Sequence, residues 1–405
     1  MSVYNFDELI ERRGTGCVKW DENPAYDIIP LWVADMDFAV APAIQKAIKR
    51  RAEHPVFGYT HVGDDYYDAI VSWFQRRHQW TVKREWIRYT TGVVPAISAV
   101  LKAITMPGDR VITLTPAYNC FFSSIRNTGC ELAECRLRWN RRLTSPLHSE
   151  KNVRFEIPWD ELEELCRDER ATVLLLCNPH NPTGRVWSTT ELRHISTICK
   201  RYNVQMVSDE IHCELVMPEC HYTPLGSIAR DVITLTSPSK SFNIAGLQIA
   251  NIICRDTEIL RRIDRAININ EVCDVNPFGP VALIAAYNES EDWLDALNTY
   301  LWDNYQALCQ YAKECLPQWR VCPLEGTYLT WVNITATGYS SQKYADWLMK
   351  EARVWVNPGT MYGSPSGEGY IRLNIACPRS RLMEALERIK QYSVLNENGM
   401  IHHED

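Results

Sequence analysis

The chain has 405 residues, of which 46% are hydrophobic and 23% are charged, a composition typical of a globular protein. Its formal net charge of −7 argues against nucleic acid as the main partner, because phosphate backbones are bound by basic surfaces. No run approaches the ~18 uninterrupted apolar residues of a membrane span, and the N-terminus is charged from residue 7 without an apolar signal region. The 15 cysteines are scattered singly without a Cys-x-x-Cys pair, so we expect buried thiols and a cytoplasmic location.

The middle of the chain alternates short apolar runs with amphipathic segments. This pattern predicts an α/β protein with a mainly parallel sheet. A helix is predicted at 188–202, where Ser188 is a candidate cap and Glu191 stands in the first turn. The predicted strands are 110–115, 172–177, 204–208, 232–236 and 249–254.

The pattern changes from about residue 290 onward. A long helical stretch at 293–316 is followed by a predicted strand at 328–333 and then by another helix. This order predicts a smaller α+β domain, joined by roughly the first 40 residues. The predicted domains are a large α/β domain of residues 45–285, a small α+β domain of residues 1–44 and 286–395, and a polar tail of residues 396–405.

Residues suited to chemistry follow four of the predicted strands. They occupy positions 116–118, 178–184, 209–210 and 237–240. In an open parallel sheet, ligands bind outside the carboxyl ends of the strands. We therefore expect these four loops to converge on one crevice.

Lys240 stands in the last of these loops, in the string Ser-Pro-Ser-Lys. A single lysine is usually a solvated surface charge, but this one follows an apolar strand and small hydroxyl residues. A desolvated lysine loses its proton readily and suits Schiff-base chemistry, while the hydroxyls of Ser237 and Ser239 suit phosphate oxygens. The string also fits the Ser-x-x-Lys motif of serine hydrolases, but the companion motifs Ser-Asp-Asn and Lys-Thr-Gly are absent from the sequence.

Three further residues each allow a functional and a structural interpretation. Gly92 precedes a predicted helix whose free N–H groups favour phosphate, although glycine before a helix is commonly only a turn. Asp209 ends a predicted strand, and its carboxylate suits the protonated pyridine nitrogen of a cofactor. The structural alternative is that Asp209 caps a helix or forms an ion pair. Arg372, on a predicted strand of the small domain, suits forked recognition of a carboxylate, or else is a surface charge.

A metal cluster is the main alternative for the acidic and histidine residues near Asp209. The residues that would form it are Glu210, His212, Glu214 and His221. On a strand and a loop their spacing does not place them on one face, so we predict no metal site.

The motifs together resemble those of a known family. In chain order they read TTGVVPA, TPAYNCFF, LLCNPHNPTGRVW, SDEIHCEL, SPSKSFNIAGLQ and YIRLNIACPR. They resemble fold-type I enzymes of the class I/II aminotransferase superfamily, which use pyridoxal 5'-phosphate (PLP). More narrowly, they resemble the MalY/PatB-type cystathionine β-lyases, a branch of carbon–sulfur lyases. RRGTGCVKWD, WVADMDF and FGYT agree as well, so the likeness runs from about residue 6 to residue 390.

The resemblance implies a role for each motif residue. Lys240 binds the cofactor as a Schiff base and then moves protons, Asp209 pairs with the pyridine nitrogen, and Tyr118 stacks on the ring. Asn181 contacts the ring oxygen and the substrate carboxylate, which Arg372 binds with its forked guanidinium. The other residues implied to bind the cofactor are Gly92, Val93, Val94, His212, Ser237, Ser239 and, from the partner subunit, Tyr59. Ala34 and Tyr59 are also implied to contact the substrate.

Two residues depart from the broad aminotransferase pattern. Gln248 stands where that pattern has a phosphate-binding arginine, and His212 stands where it has a tyrosine. Both departures resemble the lyase branch. They leave one fewer fixed positive charge for the phosphate.

The resemblance favours one function and leaves two others open. The leading hypothesis is a homodimer with shared active sites that converts cystathionine or related cysteine S-conjugates into pyruvate, ammonia and a thiol. An aminotransferase acting on an amino acid remains open, because residue spacing does not distinguish the two reactions. A regulatory protein that modulates a transcription activator is the alternative from another class, although no helix-turn-helix or basic face is evident.

Overall fold

The computed structural model describes residues 4–25, 27–140, 154–269 and 274–392, and the predicted tail of residues 396–405 lies outside them. The strands, in chain order, are β1 (Ile29–Pro30), β2 (Ile87–Thr90), β3 (Arg110–Thr115), β4 (Glu131–Arg136), β5 (Arg138–Trp139), β6 (Phe155–Glu156), β7 (Ala171–Cys177), β8 (Gln205–Asp209), β9 (Val232–Thr236), β10 (Ala250–Cys254), β11 (Arg320–Val321), β12 (Leu329–Asn333), β13 (Val354–Trp355), β14 (Asn357–Pro358) and β15 (Tyr370–Asn374). The α-helices are α1 (Val18–Asp21), α2 (Pro42–Glu53), α3 (Asp64–His78), α4 (Val93–Ile104), α5 (Asn119–Asn127), α6 (Trp159–Arg167), α7 (Thr189–Arg201), α8 (Leu225–Ile228), α9 (Thr257–Asn268), α10 (Phe278–Glu289), α11 (Glu291–Cys315), α12 (Ser341–Trp347) and α13 (Arg379–Tyr392). Short 3-10 or π turns occur at Arg84–Trp86, Ala245–Leu247, Thr335–Thr337, Leu348–Ala352 and Gly359–Tyr362.

Seven strands form the central sheet in the order β2-β10-β9-β8-β7-β3-β4. The pairs from β9 to β4 are parallel, whereas β10 runs antiparallel to both β9 and β2. The mainly parallel sheet predicted from the sequence is therefore confirmed.

Alternate residues of the central strands face two separate cores. On one face, Val173 and Leu175 of β7 pack with residues of α4, α5 and α9. On the other face, Leu174 and Leu176 pack with residues of α6 and α7. Since side chains alternate along a strand, a strand covered by helices on both faces needs apolar residues throughout. That requirement explains why β7 contains the continuous apolar run of residues 173–177 in the sequence.

The predicted elements agree closely with the observed ones. Two predicted strands coincide with β3 and β9, and those for β7, β8 and β10 differ by one residue at one or both ends. The predicted helix 188–202 is α7, where Ser188 and Glu191 cap each other's backbone N–H groups. Strands β2 and β4 were not predicted. β4 lies at the sheet edge and exposes Glu131 and Arg136, so it lacks an apolar run.

A second, antiparallel sheet has the order β11-β12-β15-β14. Leu373 of β15 shares a core with Leu301 of α11 and Leu386 of α13. Strand β1, near the N-terminus, pairs in parallel with β13, so the first part of the chain joins the C-terminal part. The division into domains of residues 45–285 and of residues 1–44 with 286–395 stays a prediction.

Two further expectations concern membranes and thiols. None of the helices in the described ranges combines the length and apolarity needed to cross a bilayer. The described cysteines are thiols rather than disulfides, and most of them are buried, as expected from the sequence.

Candidate active site

A cavity of about 440 Å³ lies at the carboxyl ends of β3, β7, β8 and β9. These four strands are adjacent in the central sheet, so the loops that follow them open to the same side. The lining residues from these loops are Tyr118 after β3, Asn181 after β7, Asp209 at the end of β8 and Lys240 after β9. The predicted convergence of four loops on one crevice is confirmed.

Lys240 lines this cavity, and its amine is hydrogen-bonded to a backbone carbonyl. Its Nζ donates to the carbonyl of Ala34 (2.6 Å), which also accepts the hydroxyl of Tyr328 (2.9 Å). Burial lowers the pKa of Lys240 to about 8, although the Asp35 carboxylate opposes this shift. A fraction of the amine is consequently unprotonated near neutral pH, as a Schiff-base nucleophile requires.

Asp209, the last residue of β8, is 2% exposed. Its Oδ1 accepts the N–H of Ile211 (3.1 Å). Burial raises the pKa of Asp209 to about 7, even though this hydrogen bond and Lys240 act in the opposite direction. A cation placed against this carboxylate would keep it ionised, so the position suits a protonated ring nitrogen.

The start of α4 forms another part of the cavity wall, with Gly92, Val93 and Val94 lining it. N–H groups in the first turn of a helix have no intrahelical acceptor, and the helix dipole favours an anion beside them. The backbone at Gly92 has a φ of +157°, which residues with a side chain rarely adopt. Ser239 lines the same cavity, so this part of the wall suits a phosphate group.

Arg372 of β15 is 4% exposed and reaches the cavity from the second sheet. Its guanidinium donates to Oδ1 of Asn181 (3.1 Å) and to the carbonyl of Trp32 (2.8 Å), and it lies 4.7 Å from the ring centre of Tyr362. Its Nε is buried without a hydrogen-bond partner among the described residues. A buried guanidinium with a donor to spare suits the carboxylate of a ligand.

Tyr118 and His212 face the same cavity. Burial raises the pKa of the Tyr118 phenol, so the phenol remains protonated at neutral pH. Burial also lowers the pKa of His212 to about 3, so its imidazole is uncharged. The Nδ1 of His212 is buried with no hydrogen-bond partner in the described part of the chain. Tyr118 therefore supplies an aromatic ring to the cavity, and His212 supplies a buried nitrogen that has no partner among the described residues.

These groups fit the PLP that the resemblance implies. One cavity presents an amine for the aldehyde of PLP and a carboxylate for its ring nitrogen. The same cavity presents an aromatic ring for the PLP ring and the start of a helix for the phosphate. The buried atoms His212 Nδ1 and Arg372 Nε lack partners within the described ranges, and a bound polar molecule would satisfy them.

Two residues assigned from the sequence lie outside this cavity. The hydroxyl of Ser237 donates to the carbonyl of Ile249 (2.6 Å) and accepts the N–H of Ser239 (3.0 Å), so it shapes the loop before Lys240. Tyr59 is 97% exposed. The cofactor roles inferred for Ser237 and Tyr59 stay predictions.

The residues considered as possible metal ligands make contacts in different places. Glu210 accepts the N–H of Leu225 (3.0 Å), Glu214 pairs with His78 (2.7 Å), and His221 is exposed. Among the described residues these side chains do not form one ligand set with His212.

The structure adds cavity residues that the sequence did not mark. Asn357 donates to the carbonyl of Trp32 (3.0 Å) and to the hydroxyl of Tyr362 (2.9 Å), and Met361 lines the cavity beside them. Asn357 begins the two-residue strand β14 and Met361 lies shortly after it, and this segment carries no recognisable motif by which the sequence could have marked them.

The fold and the cavity define the architecture of a fold-type I enzyme. The family model for aminotransferase class I and II matches residues 26–389, and the chain belongs to this family. It is 37% identical over 394 residues to cystathionine beta-lyase PatB of Bacillus subtilis, an alignment that covers 95% of this chain and 99% of that protein. It is 32% identical to protein MalY of Escherichia coli, with 94% and 96% covered. The crystal structure of the PLP-bound C-S lyase from Staphylococcus hominis matches with a TM-score of 0.86 at 32% identity, covering 96% of this chain and 98% of that one. The family and branch expected from the motifs are confirmed.

Proposed function

We propose that this protein eliminates a thiol from cystathionine or related cysteine S-conjugates and releases pyruvate and ammonia. It is a PLP-dependent carbon–sulfur lyase. The observation that carries this conclusion is one cavity lined by the amine of Lys240, the carboxylate of Asp209 and the guanidinium of Arg372. The names of two similar proteins, a cystathionine beta-lyase and a C-S lyase, support the same reaction.

Different residues of the cavity would bind different parts of the cofactor. When bound, PLP delocalises the negative charge that develops at the substrate α-carbon. Lys240 would hold its aldehyde carbon, Asp209 its ring nitrogen and the start of α4 its phosphate.

Proton transfer at the substrate would fall to Lys240. Its Nζ accepts the proton from the α-carbon, and the lowered pKa of Lys240 suits an amine that takes up and releases protons near neutral pH. Arg372 binds the α-carboxylate and fixes which bond of the α-carbon faces Nζ. The thiolate then leaves the β-carbon, and addition of water gives pyruvate and ammonia.

The direct test is to incubate the PLP-loaded protein with L-cystathionine and to assay pyruvate and homocysteine. Equal amounts of the two products would support the lyase. A keto acid that forms only when a second keto acid is supplied as acceptor would instead identify an aminotransferase. Protein with Lys240→Ala serves as the background control.

Covalent attachment of PLP to cofactor-free protein is expected to accelerate with pH and to level off above about pH 8. The attacking group is the unprotonated amine, and burial lowers the pKa of Lys240 from 10.5 to about 8. Below that value most of the amine is protonated and must first lose its proton. Stopped-flow absorbance over a pH series measures the rate. A midpoint near the ordinary lysine value of 10.5 would contradict a buried Lys240.

Replacing Arg372 with leucine is expected to lower kcat/KM for pyruvate release by about 10- to 100-fold. The variant loses charge-assisted hydrogen bonds worth about 1.5–3 kcal/mol, which act mainly on substrate binding and therefore on KM. Arg372→Lys keeps the positive charge but lacks the forked guanidinium, so its decrease in kcat/KM should be smaller than that of the leucine variant. Initial rates over a substrate series separate the two constants. An unchanged KM with a lowered kcat would show that Arg372 does not bind the carboxylate.

We also propose that the active protein is a homodimer whose sites are shared. Tyr59 is 97% exposed, and the neighbouring Phe57 is an exposed apolar side chain, as expected of a segment that packs on a second subunit. The test combines Tyr59→Ala and Lys240→Ala chains in one co-expressed hybrid. If sites are shared, the hybrid regains activity that neither variant has alone, because one of its two sites is intact. A hybrid as inactive as its parents would contradict shared sites.

A further inference from the structure

Residues 32–38 form a strap without regular secondary structure, and its first three residues line the cavity. The carbonyl groups of such a segment need donors from elsewhere in the chain. The donors here are largely side chains, and Asn374 alone donates to two of these carbonyls (2.6 Å each). The position of the strap therefore depends on the side chains that hold it.

Two carbonyls of the strap are acceptors for the two cationic side chains of the cavity. The carbonyl of Ala34 accepts a hydrogen bond from Nζ of Lys240 (2.6 Å). The carbonyl of Trp32 accepts one from the guanidinium of Arg372 (2.8 Å). A shift of the strap would therefore displace both the proton-transferring amine and the carboxylate-binding guanidinium. A misplacement of about 1 Å can lower a rate by about 10²-fold.

A buried ion pair holds the other end of the strap. Nζ of Lys19 lies 3.0 Å from Oδ2 of Asp37 and 3.3 Å from the carbonyl oxygen of Asp35. Oδ1 of Asp37 accepts hydrogen bonds from the indole of Trp20 (2.9 Å) and the guanidinium of Arg12 (2.6 Å). The side chains of Lys19 and Asp37 are 0% and 6% exposed, so this pair is complete within one subunit.

The pair stands apart from the chemistry of the cavity. Lys19 and Asp37 lie outside its lining in the described part of the chain. They come from the N-terminal strings RRGTGCVKWD and WVADMDF, which the fold brings together. Because desolvating two charges offsets most of their attraction, a buried ion pair contributes little net stability. What this pair supplies is the position of the strap.

Building on the lyase function proposed above, we propose that Lys19 and Asp37 are positioning residues for the reaction. Their ion pair holds the strap where its carbonyls orient the amine of Lys240 and the guanidinium of Arg372. The pair therefore acts on proton transfer and on substrate binding together.

The first test replaces Asp37 with asparagine, which keeps the size of the side chain and removes its charge. The kcat/KM for pyruvate release is expected to fall about 10- to 100-fold, with a lower kcat and a higher KM, because both cations of the cavity are displaced. Asp27→Asn is the matched control. Asp27 also forms an ion pair, with Arg353 (3.3 Å), but it is exposed and lies outside the strap, so this variant should keep the wild-type constants.

The second test follows covalent attachment of PLP to the cofactor-free protein over a pH series. Burial lowers the pKa of Lys240, and the carboxylate of Asp35 on the strap opposes this shift. The other charged or titratable groups around Lys240 belong to other elements: Arg372, Asp209, Cys120, His212 and Tyr328. In Asp37→Asn the displaced strap takes Asp35 away from Lys240, so the midpoint of attachment should fall by about one pH unit. A mere loss of stability would reduce the amount of folded protein and leave this midpoint unchanged.

A further variant covers the case in which Asp37→Asn does not fold, because that change leaves Lys19 buried without its carboxylate. The double variant Lys19→Met/Asp37→Asn removes both charges and should fold. It should show the same lowered kcat/KM and the same shifted midpoint. Wild-type constants and a wild-type midpoint in the folded double variant would overturn the positioning role. Absence of pyruvate with the wild-type protein would overturn the lyase instead, while the attachment series would still test the hold on Lys240.

Discussion

Replacing Lys240 with alanine is expected to lower the rate of pyruvate formation by at least about 10³-fold. General acid–base catalysis alone contributes about 10²- to 10⁴-fold, and this variant also loses the amine that would hold the cofactor. Pyruvate assays on wild-type and variant protein, both incubated with excess PLP, give the ratio. Borohydride reduction of the wild-type protein, followed by mass spectrometry of its peptides, should locate the covalently bound cofactor on Lys240.

A matched lysine controls for the loss of a positive charge. Lys200 lies exposed on α7, so Lys200→Ala should retain the activity of the wild-type protein. Added ethylamine should partly restore Lys240→Ala, because a free amine can take over proton transfer in the space that the side chain leaves. A Lys240→Ala protein within tenfold of the wild-type rate would refute the assignment of Lys240.

The second large effect is expected for Asp209→Asn, which should lower kcat by at least about 10²-fold. An amide cannot neutralise a protonated ring nitrogen, so the ring would withdraw electrons from the substrate less effectively. The change is otherwise conservative, because an asparagine Oδ1 can still accept the N–H of Ile211, which lies 3.1 Å from Oδ1 of Asp209. Folding should therefore be preserved.

Two measurements distinguish this electronic role from a structural one. Thermal unfolding of the cofactor-free protein should give similar midpoints for the wild-type protein and Asp209→Asn, because only a buried carboxylate with a pKa of about 7 is lost. Absorbance of the PLP-loaded proteins should differ, because the protonation state of the ring changes. Wild-type kcat in Asp209→Asn would refute the pairing of this residue with the ring nitrogen.

The central sheet could be predicted because its determinants are local. β7 is covered by helices on both faces, so it is a run of mostly apolar residues bounded by polar ones, and β3 and β9 have shorter apolar stretches. The edge strand β4 lacked that signal, because its outward residues are charged. β2 is only four residues long and partly exposed, which leaves too short a pattern to recognise.

Part of the candidate site could also be predicted, because the order of strands is visible in the sequence. Tyr118, Asn181, Asp209 and Lys240 follow successive strands of a parallel sheet, so the order of elements alone placed them at one edge. The phosphate role of Ser237 stays a prediction, and its hydroxyl donates to the carbonyl of Ile249. A backbone carbonyl has no signature in the sequence, so this partner was not foreseeable.

The sequence by itself determined the fold class and the parallel sheet, and it pointed to Lys240, Asp209 and Arg372 as candidate site residues, because apolar runs, helix caps and motif strings are properties of neighbouring residues. Only the tertiary structure decided how distant residues meet. Lys240 donates to the carbonyl of Ala34 across 206 residues, and Arg372 donates to Asn181 across 191 residues. Such contacts depend on how the two sheets and the N-terminal segment pack together. The same packing brings Trp32 and Met361 to the cavity wall.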